Sequence, residues 1–522
     1  MILNRSVDRV LAWVTLAAAA YTAATLVRYY LSPGAPRFPV ESAFFIFVGV
    51  GVLGVLLRGS QPGDPERGAA DPERVGLHPA ERVGLPLVPL VGAMVAVALA
   101  VYAPALQIGL LSDDFVIARW AERLELVHLG DTGFVRPGVP LFWGMLQRLP
   151  GDFAITAHAA NIVLHGVNAA LVSTLAGRLG LRRTEAFAAA ALFVLFAGLS
   201  EAIAWLAGVQ DVLMTTFVLA AVALATADEP RIAGAVAASA AALAVKETAI
   251  VIPVLSALIM WGRDGLRVSR RKQIALVALA AVSAIYVAAR AATGLPSSFL
   301  DVADWRYFVK QLLANAFATA GAPWTVDWGR THAWFALMRA VSIVALVGAA
   351  FFRWRRGDAT FRAAAACAAW VLAGVLPVFS LFYVGPQLEG ARYVYLPAAG
   401  FTILLALLMG LAANRLAIRV RPAAIGLMTA VLTVPFLTAI TSDLRRWERA
   451  AAVRGEILER AGDQAQRWGC TTFTPEGAAD SVSGAYVFRH GLAEALLGRS
   501  DDRSVPCRVA LTGGELRVER ER

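Results

Sequence analysis

Apolar runs of about twenty residues recur through the first 441 residues of this 522-residue chain. A helix of that length crosses the ~30 Å hydrocarbon core of a bilayer, and every backbone polar group is satisfied within it. Such runs fall near residues 8–28, 40–57, 85–106, 157–177, 186–206, 208–226, 231–246, 248–262, 273–292, 333–352, 363–383, 392–413 and 422–441. At 58% hydrophobic and 16% charged, the chain has too little polar surface for a soluble protein of its length. The expected fold class is an all-α polytopic membrane protein of about 11–13 transmembrane helices, with a small external C-terminal lobe, α/β or irregular. Three regions follow. They are an N-terminal hairpin and cytoplasmic loop at 1–84, a transmembrane domain at 85–441 with external loops 107–156 and 293–332, and an external tail at 442–522.

The net charge of +10 sits in short loops between spans, and this pattern speaks for a membrane orientation rather than for nucleic acid. Clusters at Arg178, Arg182 and Arg183, at Arg263 to Lys272, at Arg353 to Arg362 and at Arg415 to Arg421 all fall on one side of a thirteen-span chain. That side is expected to be the cytoplasm. Arginine dominates, with lysine at 246, 272 and 310, and alanine is abundant. This suggests a GC-rich bacterial genome and hence a bacterial inner membrane, with the loop at Asp113 facing the periplasm. Cys470 and Cys507 lie in the tail, where a disulfide is open to them outside the cytoplasm. The aromatic residues Trp305, Tyr307, Phe308, Trp324 and Trp328 suit an interfacial belt.

Leu110 to Pro137 is the most informative stretch. It opens on Asp113-Asp114 directly after a span and closes on Arg136-Pro137. Carboxylates at the mouth of a membrane helix either act in chemistry or mark the helix end. From Phe115 the apolar residues recur at helical spacing, as in a helix lying at the interface. Further on, His158, Asn161, His165 and Asn168 share one helix face. They could bond to neighbouring helices, and His158, near the outer end, could line a cavity. Glu201, Trp205 and Asp211 flank the next turn on the Asp113 side.

Lys246-Glu247 sits at the tip of a hairpin with legs of about 15 residues, near 23 Å, so the turn should lie below the bilayer surface. Lys246 is either a point charge for a phosphate or one half of a bridge to Glu247. Arg392, at the mouth of a later span, either grips a phosphate or snorkels to headgroups.

In this order, the motifs resemble those of the GT-C superfamily of membrane glycosyltransferases, above all the protein O-mannosyltransferase-like branch. The likeness rests on Asp113-Asp114-Phe115, Arg136-Pro137, the H-x-x-N-x-x-x-H run from His158 to His165, the E-x-x-x-W-x-x-G-x-x-D run from Glu201 to Asp211, Lys246-Glu247 with Pro253, and the R-Y-x-Y-L-P run from Arg392 to Pro397. Val209 and Ala391 depart from the pattern, and there is no TPR region. The resemblance implies a polyprenyl-phosphate sugar donor and a protein, lipid or glycan acceptor. It implies Asp113 and Asp114 as catalytic, Lys246 and Arg392 on the donor phosphate, and Arg136, His158, Asn161, Glu201, Trp205, Asp211, Glu247 and Tyr393 around the substrate. Neither a metal nor another cofactor is expected. A transporter or flippase for a lipid-linked glycan is the alternative, and it would spread its polar groups along the midplane.

Overall fold

The computed structural model describes residues 87–125, 135–292, 308–312, 315, 319, 359–378, 390–414, 416–468, 472–476, 481–482, 484–496, 506–512 and 515–520. The spans expected at 8–28, 40–57 and 333–352, most of the loop 293–332, and Cys470, with the disulfide open to it, lie outside the described residues.

The protein is a helical membrane protein with a small sheet. Its helices in chain order are α1 (Leu87–Tyr102), α2 (Asp113–Arg123), α3 (Gly138–Leu146), α4 (Phe153–Arg178), α5 (Arg183–Val194), α6 (Ser200–Ala204), α7 (Val209–Ala225), α8 (Ile232–Val245), α9 (Ile252–Asp264), α10 (Arg270–Ala292), α11 (Ala359–Val375), α12 (Tyr395–Ala413) and α13 (Arg421–Trp468). Seven helical stretches among the described residues are long and apolar enough to cross a membrane, and an eighth is the pair α5 and α6, bent by 50° at its break. They fall where the hydropathy places spans. The windows at Leu206–Ala225 and Ala391–Ala413 are each 72% buried, so α7 and α12 are central. Those at Leu87–Gln107 and Arg270–Ala292 are 22% and 17% buried, the least of the seven, so α1 and α10 are peripheral.

The polar stripe of α4 faces inward. His165 meets the Tyr395 hydroxyl at 2.7 Å and the Val194 carbonyl at 3.0 Å. Asn168 donates to the Val212 carbonyl and to the Tyr395 hydroxyl. One face of α4 therefore ties α5, α7 and α12 together by polar contacts where apolar packing alone gives no register.

Two elements differ from the hydropathy reading. The hairpin legs α8 and α9 have 14 and 13 residues, separated by a 3-10 turn at Glu247–Val251, so α8 reaches about 21 Å. Neither leg alone matches the ~30 Å of a bilayer core, so the hairpin legs expected at 231–246 and 248–262 are not among the seven long apolar stretches. The span expected to end at 441 does not end there: α13 runs 48 residues, to Trp468. Hydropathy falls after Ser442, but the sequence there is rich in Ala, Arg, Glu and Leu, all strong helix formers. Leu444, Trp447, Ala450, Ala451 and Ile457 keep one face buried. The lobe proper begins beyond this helix. It is the expected small α/β unit, with strand Thr472–Glu476 parallel to Pro506–Thr512, which pairs antiparallel with Glu515–Arg520. A two-residue ladder pairs Ser481–Val482 with Ala485–Tyr486, and a short helix, Leu492–Leu496, follows.

Replacing Tyr395 by phenylalanine removes the hydroxyl shared by His165 and Asn168. The variant is expected to lose about 1–3 kcal/mol of stability, read as a lower midpoint in a detergent thermal melt against wild type.

Candidate active site

The Asp113 turn is held by an unusual backbone. Ser112 caps α2 with φ 50° and ψ −121°, a region costly for any residue with a Cβ. The Ser112 N–H donates to the Val487 carbonyl at 2.9 Å, and the His490 N–H donates to the Ser112 hydroxyl at 3.2 Å. Gly491, at φ +83°, comes so near that a Cβ there would lie 2.4 Å from the Ser112 carbonyl oxygen. Phe488 stacks on Phe115 with centroids 6.0 Å apart. The tail thus pins the turn that carries the acid pair.

The two acids have different surroundings. Asp114 is fully buried. One of its oxygens accepts from the Leu111 N–H at 2.8 Å and the other from the Ala207 N–H at 2.6 Å. Burial pushes its carboxyl well above the usual range, and the two amide donors oppose that shift. Asp114 joins the α2 turn to the α6–α7 turn. Asp113 is half-buried and faces a cavity of about 630 Å³. The Ser112 hydroxyl, 3.2 Å away, donates to it, and among the described residues no cation lies within ion-pair distance.

Three crossed ion pairs stand around that cavity. Arg136 holds Glu247 through two parallel bonds of 2.9 and 2.5 Å, and it reaches Gln210 at 2.6 Å. Lys246 pairs with Asp211 at 2.6 Å and lies 5.0 Å from the Tyr393 ring centroid. Arg392 pairs with Glu201 at 2.6 Å, and its guanidinium stands 4.8 Å from the rings of both Trp205 and Tyr393. The neighbours Lys246 and Glu247 do not bridge each other. Lys246 has extended backbone, φ −157° and ψ 134°, so the two side chains diverge to separate partners.

Most of the predicted residues meet here. Asp113, Arg136, Trp205, Asp211, Lys246, Glu247, Arg392 and Tyr393 line the cavity. Glu201 stands behind Arg392 and is buried. His158 and Asn161 do not line it. Both are fully buried. The His158 ring meets the Gly109 carbonyl at 3.2 Å, and Asn161 donates to the carbonyls of Ala202 and Ile203, which end α6. Their work is to hold helices and turns together. Sequence reasoning missed Trp120, Gln210 and the tail wall of Phe488, Arg489, His490, Gly491, Leu492 and Glu494. The one signal for the tail was its aromatic, glycine-containing run YVFRHG in an otherwise charged region. No three His, Cys, Asp or Glu side chains gather as metal ligands among the described residues.

No family model matches the chain, and no curated protein matches it. Among solved structures it is similar to the oligosaccharyltransferase of Archaeoglobus fulgidus, crystallised with zinc and sulfate, at 12% identity and a TM-score of 0.37. That match covers 72% of this chain and 56% of the archaeal one, so this chain spans little more than half of its relative. A superposition so loose carries no weight for function.

The division between the two acids can be measured. Asp114→Asn sets an amide donor against the N–H of either Leu111 or Ala207 and is expected to cost about 1–3 kcal/mol of stability. Asp113→Asn should melt close to wild type. Gly491→Ala drives a methyl into the Ser112 backbone. It is expected to expose the Ser112–Val487 amide to hydrogen exchange while the membrane helices keep their protection.

Proposed function

We propose that the protein is a membrane glycosyltransferase of the GT-C kind. It would transfer a sugar from a polyprenyl-phosphate donor to an acceptor hydroxyl on the periplasmic face of a bacterial inner membrane. The observation that carries this reading is Asp113, a half-buried carboxylate without a cation partner among the described residues, on the wall of a cavity edged by three ion pairs. Glu201, Asp211 and Glu247 are each spent on a cation and Asp114 on two backbone N–H groups, whereas Asp113 accepts from the neighbouring Ser112 hydroxyl and faces the cavity. A general base has to be open to its substrate.

In this mechanism the acceptor O–H donates to Asp113. The acceptor oxygen attacks the anomeric carbon and forms the new C–O bond. The bond from that carbon to the phosphate oxygen breaks, the lipid phosphate leaves with the electron pair, and Asp113 takes the proton. One displacement inverts the anomeric centre. Arg392 and Lys246 stabilise the charge that develops on the departing phosphate. Trp120, Trp205 and Tyr393 offer flat faces to a sugar ring. Gln210, fixed by Arg136, offers an amide to its hydroxyls. A cavity of this volume is in the range of small-molecule sites. Asp114 holds the turn rather than the proton. The grouping of these residues at helix ends and turns favours an enzyme over a transporter, whose sites lie at the midplane between repeats.

The test is release of lipid phosphate from a panel of polyprenyl-phosphate sugars by the purified protein, with cell-envelope extract as acceptor. One sugar is expected to turn over, also in EDTA, and Asp113→Asn should reduce turnover at least about 100-fold. Lys246→Ala alone would strand the Asp211 charge, at a cost of about 3–5 kcal/mol, so Lys246→Met with Asp211→Asn is the cleaner comparison. Full activity in Asp113→Asn at equal abundance would remove the base assignment. No turnover of any donor would turn the reading toward a transporter.

A further inference from the structure

The cations of the cavity wall are not equivalent. Arg136, Lys246 and Arg392 each hold a carboxylate at 2.6 Å or closer. Arg489 lines the same cavity and, among the described residues, has no carboxylate within ion-pair distance. Its guanidinium stands 5.7 Å from the Tyr486 ring centroid, and the guanidinium of Arg392 stands 5.9 Å from that same centroid. Two guanidinium groups thus meet at one phenol ring. The carboxylate on the short helix that follows, Glu494, also lines the cavity but makes no bridge to Arg489.

The backbone that carries Arg489 is fixed while its side chain is exposed. Val487 and His490, on either side, are bonded to Ser112, and Phe488 is stacked on Phe115. A cation on a fixed stem loses less entropy on gripping a ligand than one on a loose tail. An arriving phosphate gains most from a cation that no carboxylate already neutralises. Arg392 still has donors to give: its Nη1 donates to Glu201 and to the Tyr486 hydroxyl at 3.4 Å and its Nη2 once to the Tyr393 hydroxyl at 3.3 Å, which leaves Nε and the second N–H of Nη2.

We propose that Arg489 and Arg392, both beside Tyr486, form a phosphate subsite that takes the phosphate of a polyprenyl-phosphate ligand. The inference rests on the glycosyltransferase reading for its choice of lipid phosphate. It places one of the two phosphate-gripping arginines in the tail and not in the membrane domain. Guanidinium forks suit this work because they present paired donors to two phosphate oxygens.

The experiment uses the full chain in lipid nanodiscs and has two readouts. One is direct binding of a short-chain polyprenyl phosphate, with inorganic phosphate titrated as the second arm. The other is steady-state turnover of the active donor. Arg489→Ala is expected to weaken lipid-phosphate binding and raise the donor KM by about 10–100-fold, with kcat changed far less and the melting temperature kept. Arg489→Lys should recover part of the binding and not all of it. Binding and KM within twofold of wild type in Arg489→Ala, while wild type turns over its donor, would overturn the subsite and leave the enzyme reading intact. Arg489-dependent binding in a wild type that turns over no donor would support the subsite and sink the enzyme reading. Inorganic phosphate bound as tightly as the lipid would overturn the lipid assignment.

Discussion

A single carboxylate without a charge partner in contact holds the centre of this protein together. Asp114 takes one backbone N–H from its own turn and one from Ala207, across 93 residues of sequence. These two bonds set the α2 turn against the α6–α7 turn. They thereby fix the distance between Asp113 and the wall formed by Trp205, Gln210 and Asp211. Trp205 repeats the link, donating from its indole to the Leu111 carbonyl at 3.1 Å. Burial makes such a carboxylate costly, and the cost is accepted where a loop must not move.

The ion pairs extend the same logic. Arg136, Lys246 and Arg392 are each matched with an acid from another element, so these charges brace the walls while neutralising one another. Removing one partner strands the other, and single charge deletions here report on architecture before they report on chemistry. Aromatic rings do the remaining positioning. Trp205, Tyr393 and Tyr486 enclose the Arg392 guanidinium, and Trp447 on α13 stacks on Trp205 at 6.5 Å.

Much of this was legible in the sequence for plain physical reasons. Span length fixed where most of the described helices lie, and the steps of three and four residues put His158, Asn161, His165 and Asn168 on one face. Proximity to helix mouths brought Asp113, Lys246 and Arg392 toward one place. Pairing was not legible, because Lys246 finds Asp211, 35 residues away, through a backbone twist that hydropathy does not register. Nor was the role of His158, since a ring on an inward face reads the same whether it meets a cavity or the Gly109 carbonyl. The extension of α13 was hidden by its composition: a helix that leaves lipid for water keeps its period and loses its hydropathy. The tail wall was hidden because a turn held by a positive-φ glycine has no period at all.

The clamp on Ser112 also has a consequence in time. His490, which donates to the Ser112 hydroxyl, follows it by 378 residues. At about 5–20 residues per second, the ribosome reaches His490 roughly 20–75 s after it has made Ser112. Through that interval the membrane helices can insert and pack and Asp114 can reach Ala207, but the strained Ser112 turn lacks its tail clamp. The bundle can therefore form first, and the Asp113 turn is clamped late, by residues made long after it.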